Sequence, residues 1–144
     1  MKWVTREKAR VDRIACPWLI SRFIGAGPTF LFVCALQVTT VAEREGTVPY
    51  DIPGVELGHH GDRCALDAVL EKYALEDPAL QALALVVGGA DTGARQLTPE
   101  SAGLYALATG FQAMAKDGHE KMTKQFPAYD TLYAYCRSKL GIAK

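Results

Sequence analysis

The sequence has no net charge, because 16 lysines and arginines balance 16 aspartates and glutamates over 144 residues. A neutral chain sets up no long-range field that attracts a polyanion, so we expect no nucleic-acid partner. The charges are nevertheless unevenly spread. Residues 1–25 carry six bases and two acids (net +4), residues 43–77 three bases and nine acids (net −6), and residues 116–144 six bases and three acids (net +3). This pattern favours either a basic amino-terminal segment folded against an acidic middle or several separate solvated faces.

The chain also lacks a long hydrophobic run. Residues 23–42 are uncharged, but glycine and proline interrupt them near the start and polar residues near the end. A membrane span needs about 20 mostly apolar residues, so we expect no membrane partner. Arg13 and Arg22 interrupt the apolar stretch near the amino terminus, which therefore does not resemble a secretory signal. We expect a soluble, cytoplasmic protein.

Paired cysteines are missing as well. None of the four cysteines forms a CxxC pair, which excludes a zinc ribbon. A chain of this length can build a sufficient core without disulfides, so reduced thiols in the cytoplasm are expected. Residues 88–93 are rich in glycine but lack the spacing of a dinucleotide or phosphate-binding loop, and we predict no nucleotide cofactor.

What the sequence does contain predicts one domain, residues 1–144, of the α+β class. We expect a predominantly helical fold with a small β component in the amino-terminal third. Pro17 suits the first turn of a helix, Asp62 and Asp77 suit N-caps, and Gly88–Gly89 suits a helix end. Residues 117–120 are either a break or a new start. The expected strands cover residues 3–5 and 30–33, and the expected helices cover about 17–24, 37–45, 62–73, 78–88, 98–116 and 127–139.

The tract from Glu56 to Cys64 concentrates the side chains that bind metals or move protons near neutral pH. It holds Glu56, His59, His60 and Cys64 between glycines, after a loop rich in proline. One divalent metal ion, either zinc, iron or manganese, is the candidate cofactor, and the ligand set does not choose between them. Alternatively, the histidines bond loop backbone groups and Asp62 only caps a helix. The candidate metal ligands are Glu56, His59, His60, Asp91 and His119.

Two arginines near the amino terminus form a second candidate group. Arg6 and Arg13 are seven residues apart, which is two turns if the stretch is helical. A planar guanidinium binds oxyanions through two parallel hydrogen bonds. The alternative is a solvated surface with local ion pairs.

The cysteines offer a third candidate. Cys16 lies just before the expected helix start at Pro17, where the helix dipole would favour a thiolate. Alternatively, Cys16 is a small buried residue beside Trp18. Cys34 in a strand and Cys136 on an apolar helix face are expected to be packing residues.

Several longer motifs are distinctive. They are Trp3-Val-Thr-Arg6, Val11-Asp-Arg-Ile-Ala-Cys-Pro-Trp-Leu-Ile20, Phe30-Leu-Phe-Val33, Ala42-Glu-Arg-Glu-Gly46, Asp51-Ile-Pro-Gly-Val-Glu-Leu-Gly-His-His60 and Phe126-Pro-Ala-Tyr-Asp130. Together these motifs resemble the chromate-resistance protein family, and more narrowly the C-terminal domain of the ChrB-type chromate regulators. The similarity covers nearly the whole chain. Longer family members carry an additional amino-terminal region and are associated with chromate-responsive control of an efflux transporter.

The resemblance implies a ligand, because chromate is a tetrahedral dianion. Arg6 and Arg13 then become anion ligands. His59 and His60 either donate hydrogen bonds to the same anion or hold a metal ion beside it. The resemblance thus implies a domain that binds an oxyanion, a metal ion or both.

Two other functions stay open. In a redox-active metalloenzyme, with chromate reduction or superoxide-type chemistry, a thiol such as Cys16 or Cys64 would supply electrons. The other is a sensor or interaction module with no chemistry of its own. The expected partners are a small inorganic anion or a metal ion, and a homodimer is compatible with each of these functions.

Overall fold

The computed structural model describes residues 1–7, 11–25, 27–58, 60, 63–92 and 97–142. In these described ranges, three short strands and two α-helices alternate up to residue 49, and four further α-helices follow. Within the described ranges, no helix is both long and apolar enough to cross a membrane. The elements are β1 (Lys2–Arg6), α1 (Asp12–Leu19, continued by a wider π-type turn, Ile20–Ile24), β2 (Thr29–Val33), α2 (Val38–Glu45), β3 (Val48–Pro49), α3 (Ala65–Lys72), α4 (Pro78–Asp91), α5 (Pro99–Met114) and α6 (Gly118–Lys139).

The strands form one parallel sheet in the order β2-β1-β3, with β1 in the centre. Alternate residues of β1 face opposite sides, as a strand requires. Trp3 belongs to the main core, whereas Val4 packs in a second, smaller cluster with Val38 and Val41 of α2. The chain therefore crosses to β2 on one side of β1 and then to β3 on the other side. Ligands of open parallel sheets bind at the carboxyl ends of the strands beside such a reversal.

The expected fold class is confirmed: the protein is 64% helical, with a three-stranded sheet near the amino terminus. Several expected helix boundaries are also confirmed, because they depend on local capping. The Asp77 carboxylate accepts a hydrogen bond from the Ala79 amide at 2.8 Å, and the Thr98 hydroxyl accepts one from the Ser101 amide. Gly46 ends α2 in the left-handed conformation.

The expected start of α1 is wrong, because the helix begins at Asp12 and Pro17 lies inside it. A proline in a helix cannot donate to the carbonyl four residues earlier, which here belongs to Arg13. The buried hydroxyl of Tyr50 donates to that carbonyl instead, at 3.4 Å. Tyr50, which is distant in sequence, thus replaces the hydrogen bond that Pro17 cannot donate. Cys16 is consequently a buried residue within α1 and not a residue at a helix start.

Two further boundaries differ from expectation. Helix α3 begins at Ala65 with Cys64 as its N-cap, where a start near Asp62 was expected; Asp62 itself lies outside the described residues. Helix α4 continues through Gly88 and Gly89, which were expected to end it, as far as Asp91. Both glycines are buried, and a Cβ at Gly88 would lie at an ordinary contact distance, 3.8 Å, from the Cys64 sulfur. The burial of this part of α4 overrides the local tendency of glycine to break helices.

The last helix begins at Gly118, nine residues before the expected start at 127, because Asp117 caps it by accepting from the Glu120 amide at 2.9 Å.

Strand β2 was expected to be buried, but among its residues only Phe30 is buried, since β2 is an edge strand. Cys34 was expected to pack in a strand, yet it is exposed just beyond β2.

Helices α1 and α6 are joined by a polar contact at the protein surface. The Asp130 carboxylate accepts from the Trp18 indole at 2.8 Å and from Arg22 at 2.9 and 3.0 Å. The hydrogen bond from Arg22 is the main cause that lowers the pKa of Asp130, and the bond from Trp18 adds to it against an opposing effect of burial.

We expect the contribution of Asp130 to stability to depend on pH. Because its pKa is lower in the folded state, this contribution is complete above the unfolded pKa of about 3.9 and is lost as pH falls through the folded value. Asp130→Asn should therefore lower the free energy of unfolding at pH 7, by less than about 1 kcal/mol for so exposed a pair. In thermal melts the difference from wild type should shrink between pH 5 and the acid limit. A difference that stays constant over this range would contradict the expectation.

A second prediction concerns the start of α6, where a Cβ on Gly118 would lie 2.5 Å from ring atoms of Phe32. Gly118→Ala should destabilise the protein by about 1–3 kcal/mol, the usual effect of overpacking. Gly110→Ala in α5 is the matched control, since its Cβ meets nothing within 4 Å. That change should stabilise the helix by about 0.5–1 kcal/mol. Denaturant unfolding of the two variants should give opposite signs, and equal signs would refute the packing argument.

Candidate functional site

The carboxyl end of the sheet is built around Tyr50, the residue after β3. Its amide donates to the Val4 carbonyl at 3.1 Å, and its own carbonyl accepts from the Thr5 hydroxyl at 2.7 Å. These bonds continue the pairing of β3 with β1 beyond Pro49. The next residue, Asp51, consequently lies at the level of Arg6, the last residue of β1.

Asp51 is the most constrained residue at this end. It has a φ of 51°, although it is not a glycine, and its amide donates to the Leu57 carbonyl at 2.9 Å. Its carboxylate lies 3.0 Å from Nε of Arg13 in an ion pair whose side chains are only 11% (Arg13) and 4% (Asp51) exposed. A left-handed aspartate costs about 1–3 kcal/mol and persists where surrounding contacts impose it. Such positions are concentrated at functional sites.

Arg6 and Arg13 reach this end by different routes. Arg6 ends strand β1, whereas Arg13 lies in the first turn of α1, so the expected spacing of two helical turns does not describe them. The Nε atom of Arg6 has no solvent-accessible surface and no hydrogen-bond partner among the residues that the structure describes. A buried donor left without an acceptor costs about 1–3 kcal/mol. At the carboxyl end of the sheet, the Arg6 Nε–H is therefore a buried donor that lacks an acceptor among the described residues.

The tract from Glu56 to Cys64 forms a second, separate feature. It borders a cavity of about 350 Å³ against α3. The Glu56 carboxylate lies 2.5 Å from the Lys72 ammonium, and Arg63 lies 3.0 Å from Glu71. The charges at this cavity therefore form ion pairs with one another. The described residues that line it are Glu56, His60, Arg63, Cys64, Ala68, Glu71 and Lys72, and neither Arg6 nor Arg13 is among them.

The candidate ligands in this tract already have partners. Nε2 of the exposed His60 lies 2.7 Å from the Glu56 carbonyl oxygen. The buried thiol of Cys64 donates to the Asp67 carboxylate at 3.4 Å, and the Cys64 amide donates to the same oxygen at 3.1 Å. His59, the other histidine of the tract, lies outside the described residues.

The two remote metal candidates lie elsewhere. Asp91 ends α4 and borders a different cavity, of about 140 Å³, together with Val11 and residues of α5. His119, in the first turn of α6, has its ring perpendicular to Phe32 with centroids 5.4 Å apart. Within the part of the chain that is described, no three His, Cys, Asp or Glu side chains group as metal ligands would.

Sequence reasoning missed Tyr50 and Asp51. Both lie in a segment with two prolines that was expected to be an extended loop, and a single aspartate there carries no motif. The proline at position 17 was the available signal, because a proline within a helix leaves one carbonyl that must find another donor. That donor is the hydroxyl of Tyr50, and Asp51 is the next residue in the chain.

Comparison with known proteins bears on the whole chain. The sequence profile of the family described as ChrB, C-terminal domain, matches residues 3–136. Protein ChrB of Cupriavidus metallidurans is 32% identical over 122 residues, which are 84% of this chain and 34% of that protein. The chain thus spans about a third of the length of this relative. No solved structure matches. The match over residues 3–136 and the identity to Protein ChrB together establish that the chain belongs to the ChrB C-terminal domain family.

Proposed function

We propose that this domain binds a tetrahedral oxyanion, with chromate as the physiological ligand, at the carboxyl end of its parallel sheet. Arg6 and Arg13 are the binding residues in this proposal. The observation that carries it is the buried Nε of Arg6, which lacks an acceptor among the described residues at the end where parallel sheets bind ligands. The resemblance to chromate-resistance proteins supports chromate as the ligand, since it is an oxyanion that such a donor can bind.

Asp51 has a defined part in this proposal. Its carboxylate contacts Arg13 through Nε and so orients the guanidinium before any ligand arrives. A side chain that is already fixed loses less conformational entropy on binding. The ion pair also balances one positive charge, so Arg6 supplies the charge that an anion would neutralise.

Binding without redox chemistry is favoured by the positions of the two candidate redox thiols. Cys16 is buried within α1, and Cys64 is buried with its thiol bonded to Asp67. Reactive cysteines are usually accessible and lie beside positive groups. We therefore propose a sensor or carrier of the anion and not a chromate reductase that uses Cys16 or Cys64.

The proposal predicts that Arg6→Gln weakens binding of chromate and of sulfate, an oxyanion of the same shape and charge, by at least about tenfold, the loss expected for one charged hydrogen bond. Isothermal titration calorimetry with each anion measures this. Arg63→Gln is the matched control, because Arg63 borders the other cavity and pairs with Glu71. The control should bind as the wild type does.

The opposite result, in which Arg63→Gln loses affinity and Arg6→Gln does not, would move the site to the tract from Glu56 to Cys64. Arg13→Lys is a third variant that keeps a positive charge beside Asp51 but loses the planar fork. We expect it to fold and to bind more weakly than the wild type, because lysine cannot make the bidentate contact.

A further prediction concerns metal. Because His60, Cys64 and Glu56 are engaged by protein groups, we expect anion affinity to be independent of a bound cation. Protein treated with a chelator and shown to be metal-free by elemental analysis should keep its affinity for sulfate within about twofold, less than 0.5 kcal/mol. If affinity is lost and returns on adding zinc, iron or manganese, the anion binds through a metal and the proposal is wrong.

A further inference from the structure

Helix α5 lacks charge on the side that faces solvent. From Ser101 to Met114 its sequence contains no charged residue, yet Ala102, Ala106 and Leu107 are exposed. A helix at a protein surface usually carries charged residues on its outer side, whereas a helix that is apolar all round is usually covered on every side. Helix α5 packs against α4 and α6. Its remaining apolar side is therefore open to a partner.

A groove between α5 and α6 adjoins this open side. It has a volume of about 450 Å³, and the residues that line it include Gly103 and Leu107 of α5 and Ala128 and Tyr135 of α6. The Tyr135 hydroxyl donates to the Glu100 carboxylate at 3.4 Å, which joins the first turn of α5 to the last turns of α6. The two helices therefore run antiparallel along the groove.

A second cavity, of about 250 Å³, continues the groove, because Glu100 and Tyr135 line both. Several large apolar side chains border the groove or this cavity, and each of them is 43% to 56% exposed. They are Leu85, Leu97, Leu107, Tyr135 and Leu140. We call the surface formed by these five residues the α5–α6 face.

The α5–α6 face is large enough for an interface. A large side chain offers roughly 200 Å² when it is fully exposed, so five that are about half exposed offer about 500 Å² in each copy. Two copies would then bury about 1,000 Å² together, which is the area that a specific interface must reach. Apolar patches of this size on a protein surface usually mark a place where a partner binds.

The charges at the two ends of the groove favour a second copy over a partner of one charge sign. Glu100 and Lys139 both line the cavity at one end. At the other end Lys124 lies one turn before Ala128 and pairs with Glu120 at 3.1 Å. Because each end combines an acid with a base, neither end attracts a polyanion or a basic peptide. A two-fold axis across the groove places the Glu100 end of each copy beside the Lys124 end of the other, where acids again face bases.

We propose that the α5–α6 face is the interface of a two-fold homodimer, in which Leu107 of each copy lies in the groove of the other. In a two-fold interface one patch supplies both the groove and the side chain that fills it. Gly103 leaves space in the groove, since a Cβ there would meet nothing within 4 Å. The dimer does not depend on the proposed function, because Arg6 and Arg13 are not among the described residues that line this face.

The test is Leu107→Glu, which places a charge in the groove. Sedimentation equilibrium of the wild type should give twice the 15.6 kDa of one chain. The variant should raise the dissociation constant of the dimer at least about tenfold. Leu36→Glu is the matched control, because Leu36 is 91% exposed just before α2 and is not among the described residues that line either cavity. The control should dimerise as the wild type does.

Gly103→Gln separates a loss of the interface from a loss of the fold. The single chain has room for the new side chain, and glycine is unfavourable inside a helix, so at concentrations where both proteins are monomeric the variant should melt no lower than the wild type. Its side chain should nevertheless fill the groove and weaken the dimer at least about tenfold.

Two results would overturn the inference. In the first, the wild type remains monomeric at about 100 µM, which leaves the α5–α6 face to a different polypeptide. In the second, the wild type dimerises but neither Leu107→Glu nor Gly103→Gln weakens the dimer, so that another surface forms the interface.

Discussion

The buried ion pair between Arg13 and Asp51 is the contact on which the arrangement of the carboxyl end depends. Two charges withdrawn from water are stable only if each stays beside the other, so the start of α1 cannot move independently of the segment after β3. The pair also keeps Asp51 in its left-handed conformation. The adjacent Tyr50 is held in turn, and its hydroxyl satisfies the carbonyl that Pro17 leaves without a donor. One electrostatic contact thereby fixes the start of α1, the segment after β3 and the tyrosine whose hydroxyl donates to the Arg13 carbonyl.

Local chemistry explains which parts of the fold could be predicted from sequence. The starts of α4 and α5 follow from Asp77 and Thr98, whose side chains cap the helices within three residues. The errors arose where a distant contact decides the outcome. Pro17 lies inside α1, where Tyr50 supplies the donor that the proline lacks, and α4 continues through Gly88 and Gly89, which are buried in the core. No window of neighbouring residues contains this information.

In the candidate site, too, local residue types could be recognised from the sequence, whereas contacts between distant residues could not. Arg6 and Arg13 were candidates from their residue type, from their spacing and from the family resemblance. The expected spacing of two helical turns is wrong, because Arg6 ends strand β1 and Arg13 lies in the first turn of α1. Asp51 was not a candidate, because a single aspartate in a loop carries no motif. Only its ion pair with Arg13 shows that it belongs to the carboxyl end of the sheet.

The two polar regions of the protein differ in how their charges are compensated, and this difference separates a structural role from a binding role. In the cavity beside α3, each cation has a carboxylate within ion-pair distance, as for Lys72 with Glu56 and Arg63 with Glu71. An anion entering there would have to displace a protein partner and would gain little. At the carboxyl end of the sheet, Arg13 is compensated, but the Arg6 Nε lacks a hydrogen-bond acceptor among the described residues. An anion that supplies this acceptor would offset the free-energy cost of burying the Arg6 donor, so we expect the tighter site there and not in the cavity beside α3.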